Sequence, residues 1–281
     1  MRYTQGSVIY GLRSAYYDNI PCLGVIITAR CEIAQDKAKV IHALSALSLN
    51  DWVRYVLFNR AVEAYAENDL SLIRNWAKQH SLDYDTLIAF GPEKIRVNLQ
   101  NTPPSKKDID KIEILLSNWE NVKKVAESGT EEEILLALNG PLKKRMLAIL
   151  KDLMQGKLLN EFCFIPDDAR LKNGKKLSGI VVNLKDIIPI HPAILELIQN
   201  GGIEYEHIKT VESKLQGQTA PFYLKSKSDF VDLTEPIQSP WIEYLLQNFS
   251  HAFSRIGVDS ASKDEISEFC NQYCYKMEGL V

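Results

Sequence analysis

The chain has no apolar run long enough to cross a bilayer. Its most apolar stretches, Cys22 to Ala29 and Ile180 to Ile190, fall well short of the roughly 20 residues a spanning helix needs. The opening residues, MRYTQGSVIYGL, carry neither the charged n-region nor the continuous apolar h-region of a secretory signal. Cysteine is scarce and odd in number: five are scattered over the sequence, so a disulfide framework is excluded and a reducing, cytoplasmic setting is expected. Surplus positive charge is missing too. A formal net charge of -3 gives no global field toward nucleic acid and leaves only local patches for such a role. A phosphate-binding glycine loop, a GxSxG elbow and an HExxH helix are all absent, which excludes the commonest nucleotide-hydrolysing, serine-hydrolase and zinc-protease machineries.

What remains is an ordinary globular composition, 46% hydrophobic and 25% charged over 281 residues, enough for one large core or two modest ones. Short β-branched runs at Ser7–Tyr10, Leu23–Thr28 and Lys39–Leu44 read as strands, the second apolar on both faces and therefore buried. Helical signals dominate from Asn50 to Gln155. Asn50 is the expected N-cap of the first helix. Ser105 is expected to cap a helix with the stripe Ile109, Ile112, Leu116, Trp119 and Ala126, stopped at Gly129. Thr130 with Glu133 has capping-box spacing.

Strand signals return at Glu161–Ile165 and Gly179–Leu184, spaced as a hairpin with an irregular loop. Pro192 opens a short helix, and Pro221–Leu224 reads as one more strand. Ser239 and Pro240 start a helix whose stripe is Trp241, Ile242, Leu245, Leu246, Phe249, Phe253 and Ile256. The expected fold class is α+β: a small β-barrel (1–49 and 159–236) interrupted by a helical insertion (50–158) and followed by a helical segment (237–281) packing on the barrel.

The opening pattern is a Gly-led strand Gly6-Ser7-Val8-Ile9, an apolar strand Pro21 to Thr28, and a third strand Val40 to Ser45. It resembles the start of the PemK/MazF-like small-barrel family, over about a third of the chain. The resemblance implies a barrel and metal-independent RNA cleavage by an Arg beside the Pro before the second strand and a Ser or Thr ending the third. Ser45 matches the second position. The first is occupied by Asn19-Ile20-Pro21-Cys22 with no Arg, so Arg30 or Arg13 would have to supply the cation that RNA cleavage needs on the developing phosphorane. The segment Thr28 to Gln35 is also similar to a Cys-acidic signature of bacterial proteins in mobile or phage-defence gene clusters.

Four groups of residues carry candidate chemistry. Cys31 reads first as a small buried side chain closing a strand, and second as a thiol activated by Arg30. Lys143, Lys144, Arg145 and Lys151 concentrate charge on one helix, either as a solvated face or as a phosphate-tracking patch. Tyr244, Asn248, His251 and Arg255 form the polar face of a late helix, read either as its wet side or as a contact surface for a protein partner. Asp167-Asp168, Asp229, Asp232 and Glu235 fall in expected loops. Cys270 and Cys274 share a helix face but lack a second ligand pair, so no metal site and no cofactor are expected. The functional expectation is a non-catalytic binding or adaptor component of a multi-protein bacterial assembly, in phage defence or a toxin-antitoxin-like conflict system. The alternatives are a PemK-like endoribonuclease using Arg13 or Arg30 with Ser45, and a nucleic-acid binder using the basic helix.

Overall fold

A strand reading Cys-Leu-Gly-Val-Ile offers water no polar side, so a sheet that contains it must be covered on both faces. The computed structural model describes residues 3–17, 19–166, 179–207, 211, 221–234 and 236–254, and is built around that requirement. Seven strands, β1 (Val8–Leu12), β2 (Cys22–Ile26), β3 (Ile41–Ser48), β4 (Phe162–Ile165), β5 (Ile180–Ile190), β6 (Ile203–Glu204) and β7 (Phe230–Thr234), form one sheet. Their order is β4-β5-β3-β2-β1-β7-β6, and every neighbouring pair is antiparallel. The fold is therefore α+β, as expected. The sheet does not close, because no ladder among the described residues joins β4 to β6.

Alternation along the strands feeds two cores. Ile9, Cys22, Ile26, Ala43, Leu47 and Val181 pack with the helices that run between β3 and β4. These are α2 (Leu49–Trp52), a π-helical turn (Val53–Leu57), α3 (Phe58–Asn68), α4 (Ser71–Gln79), α5 (Tyr84–Phe90), α6 (Pro92–Asn101), α7 (Lys106–Ser128), α8 (Glu131–Asn139) and α9 (Lys143–Met154). A short α1 (Arg30–Ala34) precedes β3, and α10 (Pro192–Gln199) joins the same core. Val8, Leu23, Val25, Leu44, Ala46, Ile180, Val182 and Leu184 point the other way and are covered by Ile237, Ile242 and Leu245, the last two on α11 (Trp241–Ser254).

Local signals account for most boundaries. The Thr130 N–H donates to Glu133 Oε2 at 2.7 Å and the Glu133 N–H to Thr130 Oγ1 at 3.3 Å, the reciprocal box that the spacing predicts. Ser48, not Asn50, caps the first helix of the insertion, its hydroxyl accepting from the Asp51 N–H at 3.1 Å. The reason is that β3 still finds partners on β5 as far as Ser48. On α7 the buried line is Ile112, Leu116, Trp119 and Val122, while Ile109 and Ala126 are exposed because the helix outreaches the core at both ends. Gly129 ends α7 in extended backbone and not in the left-handed conformation of a glycine stop.

The C-terminal part of the sheet departs furthest from expectation. Pro221–Leu224 contributes only one bridge, Phe222 to Leu12, and the strand proper is Phe230–Thr234. Asp232, expected in a loop, is thus a buried strand residue whose Oδ1 accepts from the Leu233 N–H at 2.8 Å. Asp229 does close a turn, accepting from the N–H groups of Lys225 and Ser226 at 2.7 Å. Asp167, Asp168 and Glu235 lie outside the described residues. No described helix is long and apolar enough to cross a membrane.

Leu116 is fully buried and Ile109 is 41% exposed on the same helix. Leu116→Ala should lower unfolding free energy by about 2–5 kcal/mol, and Ile109→Ala should change it by no more than about 0.5 kcal/mol. Urea denaturation of the two variants checks this.

Candidate functional site

One irregularity in the sheet places the site. In the β3–β5 ladder, Leu44 pairs with Ile187 and Ala46 with Val182, so Ser45 alone stands opposite the four residues Asn183 to Asp186. A bulge of this kind bends its strand and re-aims side chains. Here it lets Asn183 follow β4, pairing with Phe162, while Asp186 reaches the loop after β1.

That loop is held in place by the bulge. The Ser14 hydroxyl donates to the Asp186 carboxylate, both groups being buried, and accepts from the Tyr16 N–H at 3.0 Å. Asn183 Nδ2 donates to the Tyr17 hydroxyl at 3.5 Å, and Asn183 Oδ1 accepts from the Lys185 N–H at 3.0 Å. The Tyr223 hydroxyl donates to the Asn19 carbonyl at 2.6 Å, fixing the far end of the loop.

A cleft of about 620 Å³ opens between this loop, the π-helical turn with α3, the start of β4 and the bulged middle of β5. Its lining is Tyr16, Tyr17, Tyr55, Val56, Asn59, Arg60, Glu63, Glu161, Phe162, Asn183 and Lys185. Tyr55, Asn59 and Glu63 recur four apart, so they lie along one side of the helical segment. Tyr17 is buried, whereas Tyr16 is 59% and Tyr55 46% exposed.

Three of the four charged side chains in the cleft are tied together, Glu63 standing apart. Glu161 takes a cation on each carboxylate oxygen, Arg60 on Oε2 and Lys185 Nζ on Oε1 at 3.3 Å. The Arg60 guanidinium also lies over the Phe162 ring, 4.9 Å from its centroid, a cation–π contact. Trp52 meets the same ring edge-on at 5.6 Å. Burial pushes the Glu161 carboxyl up, but the hydrogen bonds and charges of Arg60 and Lys185 outweigh it and hold its pKa below the ordinary value. Burial carries the Tyr17 hydroxyl well above the usual phenol range, against the opposing hydrogen bond from Asn183. Tyr17 is therefore a neutral phenol at physiological pH. Among the described residues no serine, threonine, cysteine or histidine lines the cleft.

The residues singled out from the sequence lie elsewhere. Arg30 and Cys31 open α1 and are exposed, so Cys31 is not the buried strand-end side chain expected of it. His42 is exposed on β3. Ser45 is fully buried opposite Gly24, and its hydroxyl has no hydrogen-bond partner. No hydrogen bond or ion pair links Arg30, Cys31 and Ser45. Of the basic helix, Arg145 is committed to Asp69 by two bonds of 2.7 and 2.9 Å, while Lys143, Lys144 and Lys151 are exposed. On α11, Tyr244 and His251 are exposed, but Asn248 is buried against β4, its amide 4.0 Å from Cys163 Sγ and 2.8 Å from the Tyr244 carbonyl. Arg255, Cys270 and Cys274 lie outside the described residues. Among the described residues no group of three or more His, Cys, Asp or Glu side chains gathers to hold a metal.

Sequence reasoning passed over Arg60 and Glu161, which are 101 positions apart, and over the tyrosines beside them. The available signal was a tyrosine pair, Tyr16-Tyr17, in a loop between two strongly apolar strands. No family model matches the chain, and no curated protein or solved structure matches it.

Because the folded Glu161 pKa is depressed, the unfolded chain takes up this proton first as pH falls. The stabilisation is complete above the ordinary glutamate range and is lost as pH drops through the folded value. Urea midpoints measured from about pH 6 to about pH 3 should fall in the wild type and fall less in Glu161→Gln. Thiol reactivity gives a second check. Burial pushes Cys22 and Cys163 up to about 12, whereas Cys31 is exposed. Maleimide at neutral pH should label Cys31 in the native protein and reach Cys22 and Cys163 only in denaturant, as read by peptide mapping.

Proposed function

We propose that this protein is a non-catalytic binding component of a multi-protein assembly, and that its hold on a protein partner depends on the tyrosine-lined cleft. The observation that carries this reading is the composition of the cleft. Two exposed tyrosines line it together with Arg60, which stacks on Phe162. Tyrosine and arginine are the side chains most enriched where binding energy concentrates. Two of the groups that catalysis could use are otherwise engaged. Glu161 is held by two cations and the buried Tyr17 stays protonated, so neither serves as a base near neutral pH.

The PemK/MazF-like reading belongs to the same proposal only in part. Strands β1, β2 and β3 are successive antiparallel neighbours, which suits the opening of such a barrel. Its nuclease activity has no comparable support, since the Ser45 hydroxyl is sealed inside the sheet. The basic-helix reading retains the exposed Lys143, Lys144 and Lys151 without Arg145.

Affinity capture from the native host, with and without nuclease, tests the proposal. Wild-type protein should recover a stoichiometric partner that survives nuclease, and a Tyr16→Ala, Tyr55→Ala double variant should lose it. Equal recovery by the variant would overturn the role of the cleft. Recovery of nucleic acid alone, abolished by Lys143→Glu and Lys144→Glu, would move the function to α9.

A further inference from the structure

We infer that the cleft is a binding site for a mononucleotide, with the base against Tyr16 and Tyr55 and the phosphate on Arg60 and Lys185. The inference rests on the reading of the cleft as the recognition site and adds a small ligand that shares Tyr16 and Tyr55 with the protein partner, so that nucleotide and partner compete for them. Size fits first: about 620 Å³ lies within the range of small-molecule sites. The aromatic groups fit next. Tyr16 comes from the loop after β1 and Tyr55 from the π-helical turn, so two rings on separate elements border one opening. Neither hydroxyl is hydrogen-bonded among the described residues, and both rings keep roughly half their surface in water. A nucleobase stacks on such rings whatever its sequence identity.

The cations, though paired with Glu161, can still meet an anion. Arg60 and Lys185 share the one carboxylate of Glu161, which leaves a positive charge in surplus within that trio. Guanidinium carries five N–H donors and ammonium three, so most of their donors remain for an incoming phosphate. The Phe162 ring beneath Arg60 holds the guanidinium in place before the ligand arrives. Glu63 and Asn59, along the same side of the helical segment as Tyr55, offer acceptors and a donor to the base edge or ribose hydroxyls. Glu63 also limits what can bind. With its charge included, Arg60, Lys185, Glu161 and Glu63 sum to zero, so a long polyanion gains little from the site. A single phosphate that touches the two cations and stands away from Glu63 gains more. The π-helical turn that supplies Tyr55 is the kind of helical irregularity that recurs at functional sites.

Calorimetric titration of the full chain with adenosine, guanosine, cytidine and uridine monophosphates tests the inference. The same nucleosides, inorganic phosphate and a single-stranded oligonucleotide serve as the other arms. At least one monophosphate should saturate one site and bind tighter than its nucleoside or phosphate alone. Tyr55→Ala should weaken it about tenfold, and Tyr55→Phe should not. Lys185→Ala should weaken the monophosphate and leave the nucleoside unchanged. Urea midpoints equal to wild type would show that the variants are folded. Saturation by none of the four, or saturation indifferent to both alanine variants, overturns the inference. Binding of the oligonucleotide far above any monophosphate, with a steep salt dependence, overturns it as well. If no nucleotide binds while the double tyrosine variant still loses its partner, the ligand assignment fails and the proposed function stands.

Discussion

Double-sided burial of the central strands governs the architecture. β2 has no exposed residue, and β3 alternates between two apolar cores. A sheet of that kind has no stable state with a bare face, since each large apolar side chain left in water forgoes roughly 1.5–3 kcal/mol. The chain meets the demand asymmetrically. Helices α2 to α9 cover one face with a broad core containing Trp52, Phe58 and Trp119, while α11 and Ile237 cover the other with a narrower one. The cleft forms where the broader layer parts from the sheet.

The site follows from a mismatch between two strands. β5 spends four residues where β3 has one, and those four carry the polar groups that meet the loop after β1 and the floor of the cleft. Asp186 fixes the loop through Ser14, Asn183 meets Tyr17, and Lys185 joins Arg60 on Glu161. Each contact spans more than 20 positions of sequence. One local departure from pairing therefore organises three walls of the cleft, and the regular ladders on either side keep it in register.

What was legible in the sequence was whatever depends on neighbours along the chain. The capping box at Thr130, the proline start of α10 and the apolar runs of β1, β2 and β3 are local features, and they appear where the residues place them. Strand pairing is not local. Phe-Val-Asp-Leu-Thr has an acidic residue at its centre and short flanks, so nothing within the segment shows that it lies between β1 and β6. Register is equally hidden, and without it the bulge, the cleft and the Arg60–Glu161 pair cannot be found. Asn248 shows the limit in miniature: helical spacing sets it beside Tyr244 and His251, but only the position of β4 decides that it turns inward.

A sheet that stays open keeps two edges, and each presents unpaired backbone groups to any extended chain that passes. Here the outermost strands are β6, two residues long, and β4, four residues long. A foreign strand docking on either would find few hydrogen bonds to make, too few to hold it. Truncated outer strands thus limit edge-to-edge pairing at β6 and β4 themselves, a protection that a barrel obtains by closure.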